Sequence, residues 1–252
     1  MPDYLDLPRP LAFAHRGGSS HHPENSFRAF EHAVSLGYSY LETDVHATAD
    51  GVLIAFHDRT LDRVTDRGGE ICRLPYREVR AARIAGTEPI PLLEDLLGAW
   101  PQARFNIDAK DDPAVGPLIE VLRRTAAWDR VCVTSFSSRR LRLVRKALPR
   151  PVCMATSPAQ VASLRLGVPL PALARRLRRT SVRCAQIPVN LAVPAFLRRA
   201  RAAGLQVHVW TINDRAVMTD LLDRGVDGIM TDETELLRDL LAARGQWHAA
   251  PA

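Results

Sequence analysis

"AFAHRGGSSHHPENSFRAF", residues 12–30, decides how the chain is read. A short apolar run ends in His15-Arg16-Gly17-Gly18, a polar stretch with two more histidines follows, and a helical segment begins. A strand that opens through a loop into a helix is the repeating unit of an α/β fold. A histidine and an arginine at the mouth of a buried strand mark either a basic loop or the edge of an anion-handling site.

The unit recurs along the chain. Strands are predicted at 11–14, 39–44, 104–109, 130–134, 151–155, 183–187, 205–210 and 227–230. Helices are predicted near 24–36, 114–126, 138–147, 158–165, 194–203, 214–223 and 233–243. Ser137 and Asn213 read as helix N-caps, and Gly37, Gly204 and Gly225 as helix stops. Eight strands alternating with helices give a (β/α)8 TIM barrel, and 252 residues suit one such domain. The rival doubly wound sheet lacks a G-x-G-x-x-G after its first strand. The interval 51–95 is too long for a loop and reads as an insertion after the second strand, with a cap-like element at about 58–90. No linker divides residues 1–252, so a single domain is expected.

Composition narrows the function classes. The net charge is +6, carried by scattered arginines; only Lys110 and Lys146 are lysines. The densest run, "RRLRRT" at 175–180, reads as a solvated helix face. Aromatics make up 6% of the chain, which argues against a stacking platform for single-stranded nucleic acid. Cys72, Cys132, Cys153 and Cys184 show no CxxC spacing; Cys132, Cys153 and Cys184 sit in short apolar runs, and the reading is small buried thiols in a reducing compartment. No signal-like N-terminus and no run of 18 apolar residues occurs, so a soluble, cytoplasmic protein without stable membrane insertion is expected. The oligomeric state is not legible.

The chemistry lies at strand ends. In "YLETDVHATADG", Glu42 and Asp44 project to one face of a strand. Two crowded carboxylates repel unless a cation neutralises them, and oxygen ligands favour Mg²⁺ or Ca²⁺. In "FNIDAKDD", Asn106, Asp108 and Lys110 share one face by the same alternation; Asp108 is a candidate third ligand and Lys110 a candidate phosphate contact. The alternative is a Lys–Asp ion pair at a strand terminus. "LIAFHDRTLDR" puts His57 at the end of another apolar run, giving with His15 two groups that titrate near neutral pH. Trp210, sharing a face with His208, is either an apolar wall beside a ligand or core packing. His21, His22, His32 and His46 are expected to be solvated, and Thr231 and Asp232 to cap a helix. Two histidines, three carboxylates and two cations at the carboxyl ends of barrel strands suit metal-assisted hydrolysis of a phosphate ester.

The chain resembles the glycerophosphodiester phosphodiesterase family. The resemblance rests on "HRG" (15–17), "PENS" (23–26), "ETDV…T.DG" (42–51), "HD" (57–58), "L.R.T" (61–65), "IPLLEDLL" (90–97), "FNIDAK" (105–110), "SFS" (135–137), "VHVWTIND" (207–214) and "GVDGIMTD" (225–232). It implies a TIM barrel with a small insertion, and a phosphoric diester hydrolase that converts a glycerophosphodiester into an alcohol and glycerol 3-phosphate. It implies His15 and His57 as the acid–base pair, in roles that stay open between them. It also implies Glu42 and Asp44 as ligands of one divalent cation, and Arg16 and Lys110 on the phosphate. The nucleophile it implies is the glycerol 2-hydroxyl, through a cyclic phosphate. Two departures occur: Asp108 stands where the family commonly has glutamate in an E-x-K arrangement, and Ser26 where it has threonine. The first bears on the ion. The second keeps a capping hydroxyl.

Three rivals remain. One is phospholipase D-type hydrolysis of lysophospholipids, which needs an apolar entrance; Leu74, Tyr76, Val79 and Ile84 either line one or simply pack the insertion. Another is a phosphate-ligand binding protein without catalysis. The third, a nucleic-acid binder, rests on charge alone.

Overall fold

The computed structural model describes residues 4–250. Eight parallel strands close a barrel. They are β1 (Leu11–Ala14), β2 (Tyr40–Ala47), β6 (Arg104–Ala109), β7 (Val131–Thr134), β8 (Cys153–Ala155), β9 (Val182–Pro188), β10 (Gln206–Trp210) and β11 (Gly228–Thr231). The barrel closes because β1 pairs with both β2 and β11. Helices α1 (Phe27–Ser35), α4 (Val115–Thr125), α5 (Ser138–Ala147), α6 (Pro158–Arg165), α8 (Pro194–Ala202), α9 (Arg215–Asp223) and α10 (Thr234–Ala243) fill the crossovers. A further helix, α7 (Leu170–Arg178), carries the arginine run. It buries Leu173, Ala174 and Leu177 and leaves Arg175, Arg176 and Arg179 exposed.

Alternation along the strands sorts side chains between two cores. Leu41 and Val45 of β2, and Phe105, Ile107 and Ala109 of β6, pack outward under the helices. Tyr40 points inward to a separate cluster in the barrel floor with Phe13, Cys132, Cys153, Cys184 and Met230. Tyr4 and Leu5, from the segment before β1, join that floor cluster. On the inner face above it, Glu42 stands opposite Asn106 and Asp44 opposite Asp108. The side-chain period of two therefore delivers Glu42 and Asp44 together into the barrel mouth.

The insertion starts as a hairpin. β3 (Leu53–Ala55) runs antiparallel to the end of β2, pairing Val45 with Ala55 and Ala47 with Leu53. This pairing carries β2 to Ala47 rather than ending it at residue 44. Helix α2 (Tyr76–Val79) and a two-strand ribbon, β4 (Arg83–Ile84) and β5 (Glu88–Pro89), follow. Ile54, Phe56, Leu61, Ile71, Val79 and Ile84 form their own small core, with Leu74 and Tyr76 packed against it. Helix α3 (Leu93–Ala99) leads back to β6. Of the two readings of Leu74, Tyr76, Val79 and Ile84, packing holds and the apolar entrance does not: these residues hold the insertion together.

Candidate active site

One cavity of about 460 Å³ opens at the carboxyl ends of the strands, and His15, Arg16, Glu42, Asp44, His57, Asp108, Lys110 and Trp210 all line it. The first helix starts at Phe27, not at Glu24, so "PENS" belongs to the site loop. Asn25 donates its N–H to the Arg16 carbonyl at 2.8 Å, while Thr43 donates its hydroxyl to Asn25 Oδ1 at 2.8 Å. Ser26 caps α1 by accepting from the Ala29 N–H. Glu24 accepts from Arg16 Nη1 at 2.9 Å and from Arg63 at 2.7 Å. Arg16 takes a left-handed backbone with φ 51°. Such a conformation strains a residue with a Cβ and persists where its surroundings fix it. Here the Arg16 N–H donates to Glu42 Oε2 at 3.0 Å, and Asn25 holds the carbonyl on the other side. Gly17, at φ 85°, lies so close to α1 that a Cβ would meet Ala29 Cβ and the Phe30 nitrogen at 2.9 Å.

His15 is held from two sides. Its Nδ1 is 2.8 Å from Asp232 Oδ1, and its Nε2 is 3.9 Å from Glu42 Oε2. Burial opposes the charged ring, but Glu42 and Asp232 prevail and raise its pKa. Asp232 also accepts from Asn213 Nδ2 at 2.8 Å. These contacts correct two expectations. Asp232 orients His15 rather than capping α10, and Asn213 supports Asp232 while Asp214 caps α9. His57 Nδ1 lies 2.6 Å from Asp58 Oδ1, and Asp58 is fastened in turn by Arg63 Nε at 2.5 Å. The Arg63 hydrogen bond, ahead of the bond to His57, holds the Asp58 pKa down at about 2.

His46 is the clearest misreading. It is buried, with Nδ1 2.7 Å from Asp111 Oδ2 and Nε2 3.0 Å from the His57 carbonyl. The hairpin with β3 draws it out of solvent and makes it a brace for the His57 segment. His21, His22 and His32 cluster elsewhere: His32 is half-buried, rings of His21 and His22 stand edge-on to it, and Glu235 pairs with His21 and His32.

Three buried carboxylates share the floor of the cavity. Burial, then repulsion from Asp44, pushes Glu42 up to about 7. Burial also works against the Asp44 carboxylate, but Lys110 and Arg16 outweigh it and its pKa falls. Asp108 is raised, chiefly by burial. Lys110 Nζ sits 2.8 Å from both Asp44 Oδ1 and Asp108 Oδ2. The ion-pair alternative for Lys110 is thus present in the structure. Asp44 Oδ2 faces Arg16 Nε at 3.3 Å in an ion pair that lacks hydrogen-bond geometry, and Asp108 Oδ1 is left buried with no hydrogen-bond partner. An unmet Asp108 oxygen beside the raised Glu42 carboxyl and the Asp44 carboxylate fits a hard divalent cation.

Trp210 forms part of the wall, edge-on to the exposed ring of Phe136 at 6.0 Å between centroids. Pro158, Val161, Ala162, Ile187, Pro188 and Leu191 continue this apolar side, which β7–β10 and their loops supply.

A TIM barrel with two carboxylate-held histidines, clustered acids and two cations at its C-terminal mouth belongs to the class of barrel phosphoesterase sites. The chain is a member of the glycerophosphoryl diester phosphodiesterase family, whose model matches residues 15–236. It is 43% identical over 248 residues to the probable glycerophosphodiester phosphodiesterase 2 of Mycobacterium tuberculosis, covering 95% of this chain and 94% of that one. It is 28% identical to human lysophospholipase D GDPD1, over 90% of this chain and 85% of that protein. An Oleispira antarctica phosphodiesterase, solved in complex with the product sn-glycerol-3-phosphate, superposes with a TM-score of 0.79 at 25% identity. That match covers 93% of this chain and 97% of the other.

Proposed function

We propose that this protein hydrolyses glycerophosphodiesters to an alcohol and glycerol 3-phosphate, with His15 and His57 as the proton-transfer pair. The observation that carries the reading is the convergence of both histidines, three buried carboxylates, Arg16 and Lys110 on one cavity. Membership of the family and the 43% identical relative support it.

Glu42, Asp44 and Asp108 would hold one divalent cation, Mg²⁺ or Ca²⁺, which supplies charge neutralisation at phosphate oxygens. Arg16, ion-paired with Asp44 at 3.3 Å and Glu24 at 2.9 Å, lines the cavity as a positive charge for a non-bridging oxygen. Lys110 adds a second positive charge beside Asp44 and Asp108. One histidine takes the proton of the attacking hydroxyl, and the other gives a proton to the leaving alcohol. Asp232 and Asp58 fix the two imidazoles through Nδ1, leaving each Nε2 as the exchanging nitrogen. Cys72, Cys132, Cys153 and Cys184 form no disulfide among the described residues, which supports a reducing, cytoplasmic setting, and no helix among those residues is long and apolar enough to cross a membrane.

The test is release of glycerol 3-phosphate from glycerophosphocholine with Mg²⁺, Ca²⁺ or Mn²⁺ in turn and EDTA as control. Replacing His15 or His57 by alanine lowers turnover at least ~10²-fold. Near-normal turnover in a folded His15→Ala protein refutes the assignment. The apolar wall from Phe136 to Leu191 favours one second reading, a lysophospholipid leaving group on the same site. Release from lysophospholipids with none from glycerophosphocholine would select it.

A further inference from the structure

We propose that Cys132, Cys153, Cys184 and His208 bind a zinc ion in the floor of the barrel, apart from the catalytic cavity. Neighbouring strands β7, β8, β9 and β10 contribute one residue each. The spacing 132, 153, 184, 208 shows no zinc motif along the sequence. The closed sheet nevertheless brings the three thiols together. Their sulfurs all lie within 4.8 Å of one another, and among the described residues no other group of three such ligands is so gathered. Cys132 Sγ and Cys184 Sγ are 4.0 Å apart. Two thiolates on one tetrahedral zinc, each at about 2.3 Å, stand about 3.8 Å apart, so these two sulfurs need little movement.

The surroundings supply what simple thiol packing leaves unexplained. His208 is fully buried, and its Nδ1 has no hydrogen-bond partner. His208 stands outside the set of ligand atoms that lie within 4.8 Å of one another, so its ring must move toward the sulfurs to complete the site. Its Nε2 is 3.2 Å from Gln206 Oε1. An amide oxygen there takes the Nε2 proton and leaves the Nδ1 lone pair free, the arrangement by which a polar partner orients a metal-binding histidine. Tyr4 is buried in the same cluster beside all three cysteines, and its hydroxyl also lacks a partner. A buried phenol without a partner is costly, and a metal-bound thiolate beside it accepts its hydrogen bond. None of the four ligands lines the catalytic cavity.

Binding exchanges protons for metal. Three thiols release three protons to solvent, neutral His208 gives its lone pair, and Zn²⁺ forms three Zn–S bonds and one Zn–N bond with no change of oxidation state. The floor is closed by Tyr4 and Leu5, so the ion enters as the chain folds.

The experiment is spectroscopic and independent of turnover. The full chain, reduced and unfolded, is refolded with Co²⁺ as the probe. A sulfur-to-cobalt charge-transfer band in the near ultraviolet, with the intense visible bands of a tetrahedral ion, is expected at one equivalent per chain. Cobalt at the oxygen-lined active site gives no such charge-transfer band, so the two sites separate. Zn²⁺ added afterwards abolishes the bands, Cys184→Ser removes the charge-transfer intensity or shifts it, and Cys72→Ser retains it. Should Cys184→Ser fail to fold, the native protein decides alone. A refolded wild-type chain without the charge-transfer band overturns the proposal. So does recovery of a Cys132–Cys184 disulfide from the protein as isolated and alkylated under denaturing conditions.

Discussion

Replacing Asp232 by asparagine tests the histidine assignment where the geometry is sharpest. The wild-type carboxylate stands 2.8 Å from His15 Nδ1, and both side chains are mostly buried, at 22% and 15% exposure. A hydrogen bond to a charged partner contributes ~1.5–3 kcal/mol. Asp232 is not fully buried, so solvent screens part of its charge and the lower half of that range applies best. At 1.36 kcal/mol per decade, ~1.5–2 kcal/mol is roughly a 10- to 30-fold loss in turnover. The asparagine also presents an amide to Asn213, which already donates to Asp232 Oδ2, so ring orientation loosens and adds to the loss. The assay follows glycerol 3-phosphate release against pH. Asp232 is one of two acids that raise His15, so the limb of the profile set by His15 moves to lower pH in the variant. KM changes less than kcat, because Asp232 acts on the ring and not on the phosphate. A folded Asp232→Asn protein with wild-type kcat and an unmoved profile would refute the role given to this pair.

Other outcomes follow from the same contacts. Lys110→Met leaves Asp44 and Asp108 facing each other; losing one partner of a buried pair costs ~3–5 kcal/mol, so in EDTA the Tm falls by roughly 6–20 °C, and divalent cation restores part of it. The Glu42 carboxyl, raised to about 7, opposes folding when ionised, so it withdraws stability as pH climbs from about 4.5 through 7. A cation on Glu42 relieves that penalty and competes with its proton. The Tm gain from Mg²⁺ or Ca²⁺ is therefore larger at pH 8 than at pH 5.5, and equal gains by scanning fluorimetry would remove Glu42 from the ligand set. His46→Ala frees the His57 carbonyl and Asp111 and destabilises by ~1–3 kcal/mol. Its turnover falls while KM for glycerophosphocholine holds, and unchanged kinetics would show that His57 needs no brace.

The barrel was legible because its strands are short, apolar and each followed by a helix. The site was legible where chemistry sat at strand ends, as with Glu42 and Asp44. What escaped depends on partners far away in sequence. Asp232 sits just ahead of α10, where a cap belongs, and only the pairing of β1 with β11 sets it beside His15, 217 positions away. His46 looked solvated because the hairpin that buries it, between β2 and β3, is too short to stand out by periodicity. Asn25 passed for the first turn of a helix, although its amide braces the strained Arg16 loop. The three cysteines carry no local spacing at all; curvature of the sheet alone unites them.

The His15–Asp232 pair joins the first strand of the barrel to the last. His15 follows β1 and Asp232 follows β11, so the imidazole is unaligned until the C-terminal strand has docked against the N-terminal one. A nascent chain still short of β11 presents both histidines and every acid of the floor, yet lacks the group that turns His15 into position. Competence therefore arrives with ring closure, and a fragment ending before β11 lacks the partner that aligns the imidazole.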